Sequence, residues 1–101
     1  MSKYGAVRTN GYASKGEAKR AGDLALMERA GLISDLREQV RYELIPKQGG
    51  EGAVNYVADF VYRNKAGEEV VEDFKGFRTP VYIMKRKLML YRYGIEILET
   101  A

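Results

Sequence analysis

Three residues have types and spacing that suggest chemistry. Asp59 lies in the run Tyr56-Val57-Ala58-Asp59-Phe60-Val61-Tyr62, and Asp73 and Lys75 stand two apart in Val71-Glu72-Asp73-Phe74-Lys75-Gly76-Phe77. Alternate side chains of a strand share a face, so Asp73 and Lys75 point the same way, and Asp59 is expected on one face with Val57 and Val61. If the two strands pair with those faces matched, two carboxylates and an ammonium converge at one end of a sheet, next to a break at Gly76. Close carboxylates repel, so such a pair either holds a cation or keeps a proton on one member. Carboxylate and carbonyl oxygens suit Mg²⁺, with Mn²⁺ as a substitute, and the Phe74 carbonyl is a natural third ligand beside Asp59 and Asp73. A cation there could contact a phosphodiester oxygen, and Lys75 could orient or deprotonate an attacking water or offset charge on the phosphorane. The competing reading is structural: Asp73 and Lys75 form an ion pair and Asp59 is an exposed strand residue. Against it stands the apolar company of Asp59, among which an unpaired carboxylate is costly.

The elements that must position these residues are legible in outline. Ser14-Lys15-Gly16-Glu17 has the spacing of a capping box and opens a helix with apolar positions Ala18, Ala21, Leu24 and Ala25, ending at Ala30-Gly31. Glu17 therefore has two readings. It is the second half of the cap, or, lying on the buried stripe one turn before Ala21, it reaches across the sheet end as a fourth member of the site. Arg37 to Ile45 alternates and stops at Pro46, a first strand; a second runs from about Val54 to Tyr62. A turn at Arg63-Asn64-Lys65-Ala66-Gly67 leads into a third strand, Glu69 to Lys75. Thr79-Pro80 opens a second helix that Gly94 ends, and Ile95, Ile97 and Thr100 mark a last short strand that a crossover could lay parallel to a neighbour. Residues 1–13 read as an N-terminal arm, with Asn10-Gly11 able to turn a short hairpin, and residues 14–101 as a single mixed α/β domain.

Composition narrows the chemistry further. The 101 residues contain neither cysteine nor histidine, which removes thiol nucleophiles, Ser-His-Asp triads, disulfides and the common zinc ligand sets. Acid-base work falls to carboxylates, lysine, tyrosine or metal-bound water. No run of eighteen apolar residues occurs and Met1-Ser2-Lys3-Tyr4-Gly5 lacks a secretory leader's apolar stretch, so a cytoplasmic protein without a membrane segment is expected. The net charge of +3 favours a polyanionic partner. Lys15 and Lys19 near the start, and Arg78, Lys85, Arg86 and Arg92 near the end, are candidate nucleic-acid contacts, the alternative being ordinary solvated faces.

Glu17 in the first helix, Ala58-Asp59-Phe60 on the second strand and Glu72-Asp73-Phe74-Lys75-Gly76 on the third together resemble the motifs of the PD-(D/E)XK nuclease superfamily. Its restriction-endonuclease-like core has the order helix, three-strand meander, helix, strand, which agrees with this chain across residues 14–99. Ser14-Lys15-Gly16-Glu17-Ala18 with the two strand motifs also resembles a small phage-encoded, nuclease-like family of unassigned function, and the phage junction-resolving endonuclease I family. The resemblance implies Asp59 and Asp73 as metal ligands, Lys75 as the catalytic lysine and Glu17 as the helix-borne acid of some branches. Ala58 stands where the superfamily's motif has proline, a residue that does no chemistry. Of the adjacent acids only Asp73 has the two-residue spacing to Lys75, so Glu72 is expected to face the other way.

Fold alone does not choose a substrate. A bare core with no appended domain has little surface for base readout and suits recognition of backbone shape. The expectation is therefore a Mg²⁺-dependent endonuclease acting on branched, Holliday-junction-like DNA as a homodimer, since symmetric cutting needs two sites; the alternative is a nuclease-like fold that binds nucleic acid or protein without cutting. A phage-encoded chain would work in the host cytoplasm.

Overall fold

A computed structural model describes residues 11–75 and 77–101. Most of the expected arm, including Asn10, and the break at Gly76 lie outside the described residues. The order is α1 (Lys15–Arg29), β1 (Ser34–Ile45), β2 (Val54–Arg63), β3 (Glu69–Phe74), α2 (Pro80–Tyr93) and β4 (Leu98–Thr100). The protein is a mixed α/β domain with one four-stranded sheet in the order β1-β2-β3-β4. Strands β1, β2 and β3 form an antiparallel meander, and β4 returns parallel to β3, as a crossover through α2 allows. Among the described residues no helix is long and apolar enough to cross a membrane.

Local chemistry sets the element ends. The Ser14 hydroxyl accepts from the Glu17 N–H and starts α1. Thr79 does the same for the Tyr82 N–H, with Pro80 in the first turn, where its missing N–H costs nothing. Gly94, in the left-handed region at φ 67°, closes α2 through its N–H to the carbonyls of Leu90 and Met89. Between β2 and β3 the Asn64 side chain accepts from the Glu68 N–H and tightens the turn.

The helices cover opposite faces of the sheet. Ala21 and Leu24 of α1 pack with Ile33, Phe60 and Tyr62. Tyr82 and Met89 of α2 pack with Leu44, Tyr56, Ala58, Val61 and Val71. Each fully buried Leu, Val or Phe side chain contributes about 1.5–3 kcal/mol relative to exposure, so these two small cores hold the layers together.

The meander changes phase at its middle. Val40, Tyr42 and Leu44 of β1 face α2, yet Leu36 packs on the α1 side; in β2, Tyr56 and Ala58 face α2 while Phe60 and Tyr62 face α1. Strict alternation would keep even-numbered positions on one face. The switch falls between Glu38↔Phe60 and Val40↔Ala58, where Gln39 stands in the left-handed region at φ 53°. This corrects the expectation that Asp59 shares an ordinary strand face with Val57 and Val61: Val57 is exposed, Val61 is fully buried under α2, and Asp59 sits at the switch itself.

Candidate active site

The same switch opens a gap between β2 and β3. Their pairing covers only Phe60↔Glu72 to Arg63↔Glu69, although β2 starts at Val54 and β3 continues to Phe74. Beyond Phe60 the two strands are bridged by a side chain: Asp59 Oδ2 accepts from the Phe74 N–H at 2.9 Å. The other oxygen, Oδ1, accepts from Gln39 Nε2 at 3.3 Å. A residue in extended backbone sends its N–H and C=O to the same edge, so the Phe74 carbonyl also leaves β3 on the side where Asp59 lies. The next N–H, that of Lys75, goes the other way, to the Thr100 carbonyl of β4 at 2.7 Å.

Asp73 and Lys75 meet Asp59 at this gap. Asp73 is 2% exposed. Its Oδ2 accepts from the Tyr56 hydroxyl at 2.9 Å and lies 3.2 Å from Lys75 Nζ. Burial first, then the hydrogen bond and the charge of Asp59, push the Asp73 carboxyl up to about 7, while Lys75 and Tyr56 oppose the rise. Burial and the neighbouring acid thus favour the neutral form of Asp73 until a cation offsets the charge. The ion pair of the competing structural reading does form, but on a buried carboxylate that also touches a second acid.

A chain of aromatic and charged groups fixes the lysine. Lys75 Nζ stands 4.3 Å from the centre of the Tyr82 ring, a cation-π contact. The Tyr82 hydroxyl donates to Glu99 Oε2 at 2.6 Å, and Glu99 also receives Arg78 at 2.7 Å and Arg86 at 3.1 Å. Arg78 first, then Tyr82 and Arg86, hold the Glu99 carboxyl down at about 2. Glu99 lies in β4 directly beside Asp73 in β3, so the parallel strand supplies the anchor of the lysine's support.

Asp59, Asp73 and Lys75 line an open cleft of about 320 Å³ whose walls include Tyr56, Val57 and Lys85. Asp59 also lines a second, adjoining hollow of about 510 Å³ with Tyr12, Glu17, Glu38 and Gln39. Glu17 is buried at the first turn of α1, with its own N–H on the Ser14 hydroxyl, so half of the capping box is present. It reaches the Asp59 side but does not complete an acidic triad: among the described residues no three Asp, Glu, His or Cys side chains gather closely enough to hold a metal. Two contacting carboxylates and a carbonyl aimed into the same gap are a hard-oxygen set that fits Mg²⁺ or Mn²⁺, ions that commonly take one or two protein carboxylates and keep water for the rest.

Glu72 does face the other way. It is fully buried on the α1 side, bound by Arg20 through Nε at 2.6 Å and Nη2 at 2.8 Å, and by the Tyr62 hydroxyl at 2.8 Å. Of the six candidate nucleic-acid cations, only Lys85 lines the cleft. Arg78 and Arg86 are held by Glu99, and Arg92 is 3.8 Å from Glu43. Lys15 and Lys19 ride on α1, across the sheet from the cleft, and Lys19 pairs with Asp23 at 3.0 Å; the structure does not bring these two to the site. Sequence reasoning missed Tyr56, Tyr82 and Glu99. A hydroxyl three residues before Asp59 was a local signal for the first, but nothing local marks the others, because they depend on where β4 and α2 dock.

Residues 1–99 match a family described as "Protein of unknown function (DUF1064)", and the chain belongs to that family. It is also similar to "Uncharacterized protein slr1417" of Synechocystis sp. (strain ATCC 27184 / PCC 6803 / Kazusa), with 39% identity over 75 residues, which cover 73% of this chain and 56% of the relative. The match therefore spans little more than half of that relative's length. No solved structure matches the chain.

Proposed function

We propose that this chain, as a member of that family, is a divalent-metal-dependent endonuclease that hydrolyses phosphodiester bonds of DNA at the Asp59–Asp73–Lys75 cleft, on a restriction-endonuclease-like core. The observation that carries the reading is a buried carboxylate, Asp73, with a lysine ammonium 3.2 Å away and a second carboxylate, Asp59, lining the same cleft open to solvent. A buried acid pushed up by burial and a neighbouring acid, in a cleft beside a specific charge partner, has the character of a functional site. Asp59, Asp73 and the Phe74 carbonyl would hold Mg²⁺, which supplies Lewis-acid polarisation of a phosphoryl oxygen and a water activated as nucleophile.

The chain's own groups account for the remaining work. Lys75 places a positive charge where charge builds on the phosphoryl oxygens and can orient the attacking water. Tyr56 fixes Asp73 through its hydroxyl, and Tyr82 fixes Lys75 through its ring; both are positioning residues. Phe74 N–H fixes Asp59. The resemblance to junction-resolving enzymes makes branched DNA the substrate and a homodimer the active form, with two sites for two symmetric cuts.

A second reading, a nucleic-acid-binding module that does not cut, draws on one observation: no third acid joins the pair among the described residues. One experiment separates them. Labelled four-way junction, flap, linear duplex and single-stranded DNA are incubated with Mg²⁺, Mn²⁺ or EDTA, with Asp73→Asn alongside. Metal-dependent cutting that falls at least a hundredfold in the variant is expected. Tight DNA binding with no cutting of any substrate sinks the nuclease and leaves the binding module.

A further inference from the structure

Helix α2 presents a second, unpartnered face beside the cleft. Val81, Met84, Leu88 and Tyr91 follow spacings of three, four and three residues, which place them along one side of the helix, Leu88 leaning in part onto the core. Of these, Val81 is 62%, Met84 63% and Tyr91 86% exposed. Phe77, 77% exposed, precedes the stripe in the segment between Lys75 and Thr79, both of which line the cleft. Three large apolar side chains this open along one helix side, with a fourth, Phe77, open just before the helix, need an explanation, because scattered single exposures are ordinary and such a grouping is not.

Charge decides what covers it. Helix α2 carries Lys85, Arg86, Lys87 and Arg92 and no acid; the chain's +3 is thus +4 in this helix against −1 everywhere else. Lys85 and Arg92 follow Val81 and Leu88 by four residues, and Lys87 follows Met84 by three, so cations flank the stripe on both sides. Arg92 is partly engaged by Glu43, whereas Lys85 and Lys87 make no ion pair among the described residues. A second copy of α2 would bring four more cations against these four. A single nucleic-acid strand meets both demands: bases stack on apolar and aromatic side chains while phosphates run past the flanking cations. From Val81 to Tyr91 the helix rises about 15 Å, the length of about four stacked bases at ~3.4 Å each.

We propose that Phe77 and the Val81–Met84–Tyr91 side of α2 form a platform for unpaired bases, so that the cleft receives a strand already out of the duplex. The platform rests on the nuclease reading for the cleft's chemistry and deepens it by giving the means by which a branch point, flap or gap is taken in preference to intact duplex: its unpaired bases. Phe77, between the cleft residues Lys75 and Thr79 in the chain, would stack on a base next to the scissile phosphate.

The test is anisotropy of a labelled 20-nucleotide single strand and of its duplex, in EDTA, with the full chain and with Phe77→Ala and Tyr91→Ala. Each substitution is expected to weaken single-strand binding about tenfold or more and to leave duplex binding within twofold. Unchanged single-strand affinity in both variants overturns the platform even if the protein cuts DNA. Loss confined to the single strand, in a protein that cuts nothing, keeps the platform and drops the nuclease. Sedimentation supplies the remaining arm: a wild-type dimer that Met84→Glu converts to monomer means the stripe is covered by a second copy, and overturns the proposal.

Discussion

Asp73 is the residue on which protonation, metal binding and stability meet. Its folded carboxyl titrates at about 7 and its unfolded one near 3.8, so between those values the metal-free fold keeps a proton that the unfolded chain has lost. Stability then falls as pH rises through that window and stays low above it. A divalent cation replaces the proton, so its apparent affinity should rise with pH up to about 7 and then level off, with proton release on binding that is largest on the acid side. Titration calorimetry in two buffers of different ionisation enthalpy measures that release; affinity and proton count both flat from pH 5.5 to 8 would falsify metal binding at Asp73. In EDTA at pH 8, Asp73→Asn should unfold at higher denaturant than the parent, by on the order of 2 kcal/mol, because it removes the penalty of a buried charge beside Asp59. The variant that abolishes cutting would then be the more stable protein, the pattern expected of a site that carries strain for function.

At the scale of elements, the phase switch across β1 and β2 creates the site, and Gln39 is where it is made. Left-handed backbone costs a residue with a Cβ roughly 1–2 kcal/mol, and here it allows Phe60 and Tyr62 to serve the α1 core while Tyr56 and Ala58 serve the α2 core. Gln39→Gly should therefore keep stability within about 1 kcal/mol of the parent despite the lost bond to Asp59, whereas the β-branched Gln39→Val should lose about 2 kcal/mol or more. Chemical denaturation orders the three; a valine variant as stable as the glycine one would mean that φ at this position is not constrained. The same position explains what the sequence reveals and what it hides. Helix ends were legible because Ser14, Pro80 and Gly94 act on their own neighbours, and the Asp73–Lys75 spacing was legible because a strand's period is two. The facing of Asp59 was not, since alternation carries no mark of a left-handed residue on the partner strand. For the same reason β1 begins at Ser34, earlier than its alternating pattern, with Asp35 also left-handed at φ 54°. The last strand is Leu98–Thr100, beyond the expected Ile95. Its register beside β3, and with it the role of Glu99, is a non-local fact that no short pattern encodes.

At the scale of the whole molecule, the sheet separates a structural side from a working side. The α1 face closes over Phe60 and Tyr62 and satisfies Glu72 with Arg20, a bidentate pair that gives each Glu72 oxygen a donor. The α2 face holds the cleft, the flanking cations and the exposed stripe. This polarity predicts which lysines belong to the nucleic-acid footprint. Each cation that contacts a single strand releases counterions and adds about 0.7 to the slope of log K against log salt. Lys85→Gln with Lys87→Gln should make the slope shallower by about 1.4, since both lie beside the stripe and neither is neutralised by an acid. Lys15→Gln with Lys19→Gln removes the same charge from the far side of the sheet and should weaken binding only slightly, through the general field, with the slope unchanged. Affinities for a 20-nucleotide strand between 50 and 300 mM salt give all three slopes. Equal flattening by both pairs would mean that the strand wraps the edge of the sheet onto α1, and the one-sided orientation inferred from the cleft would have to be given up.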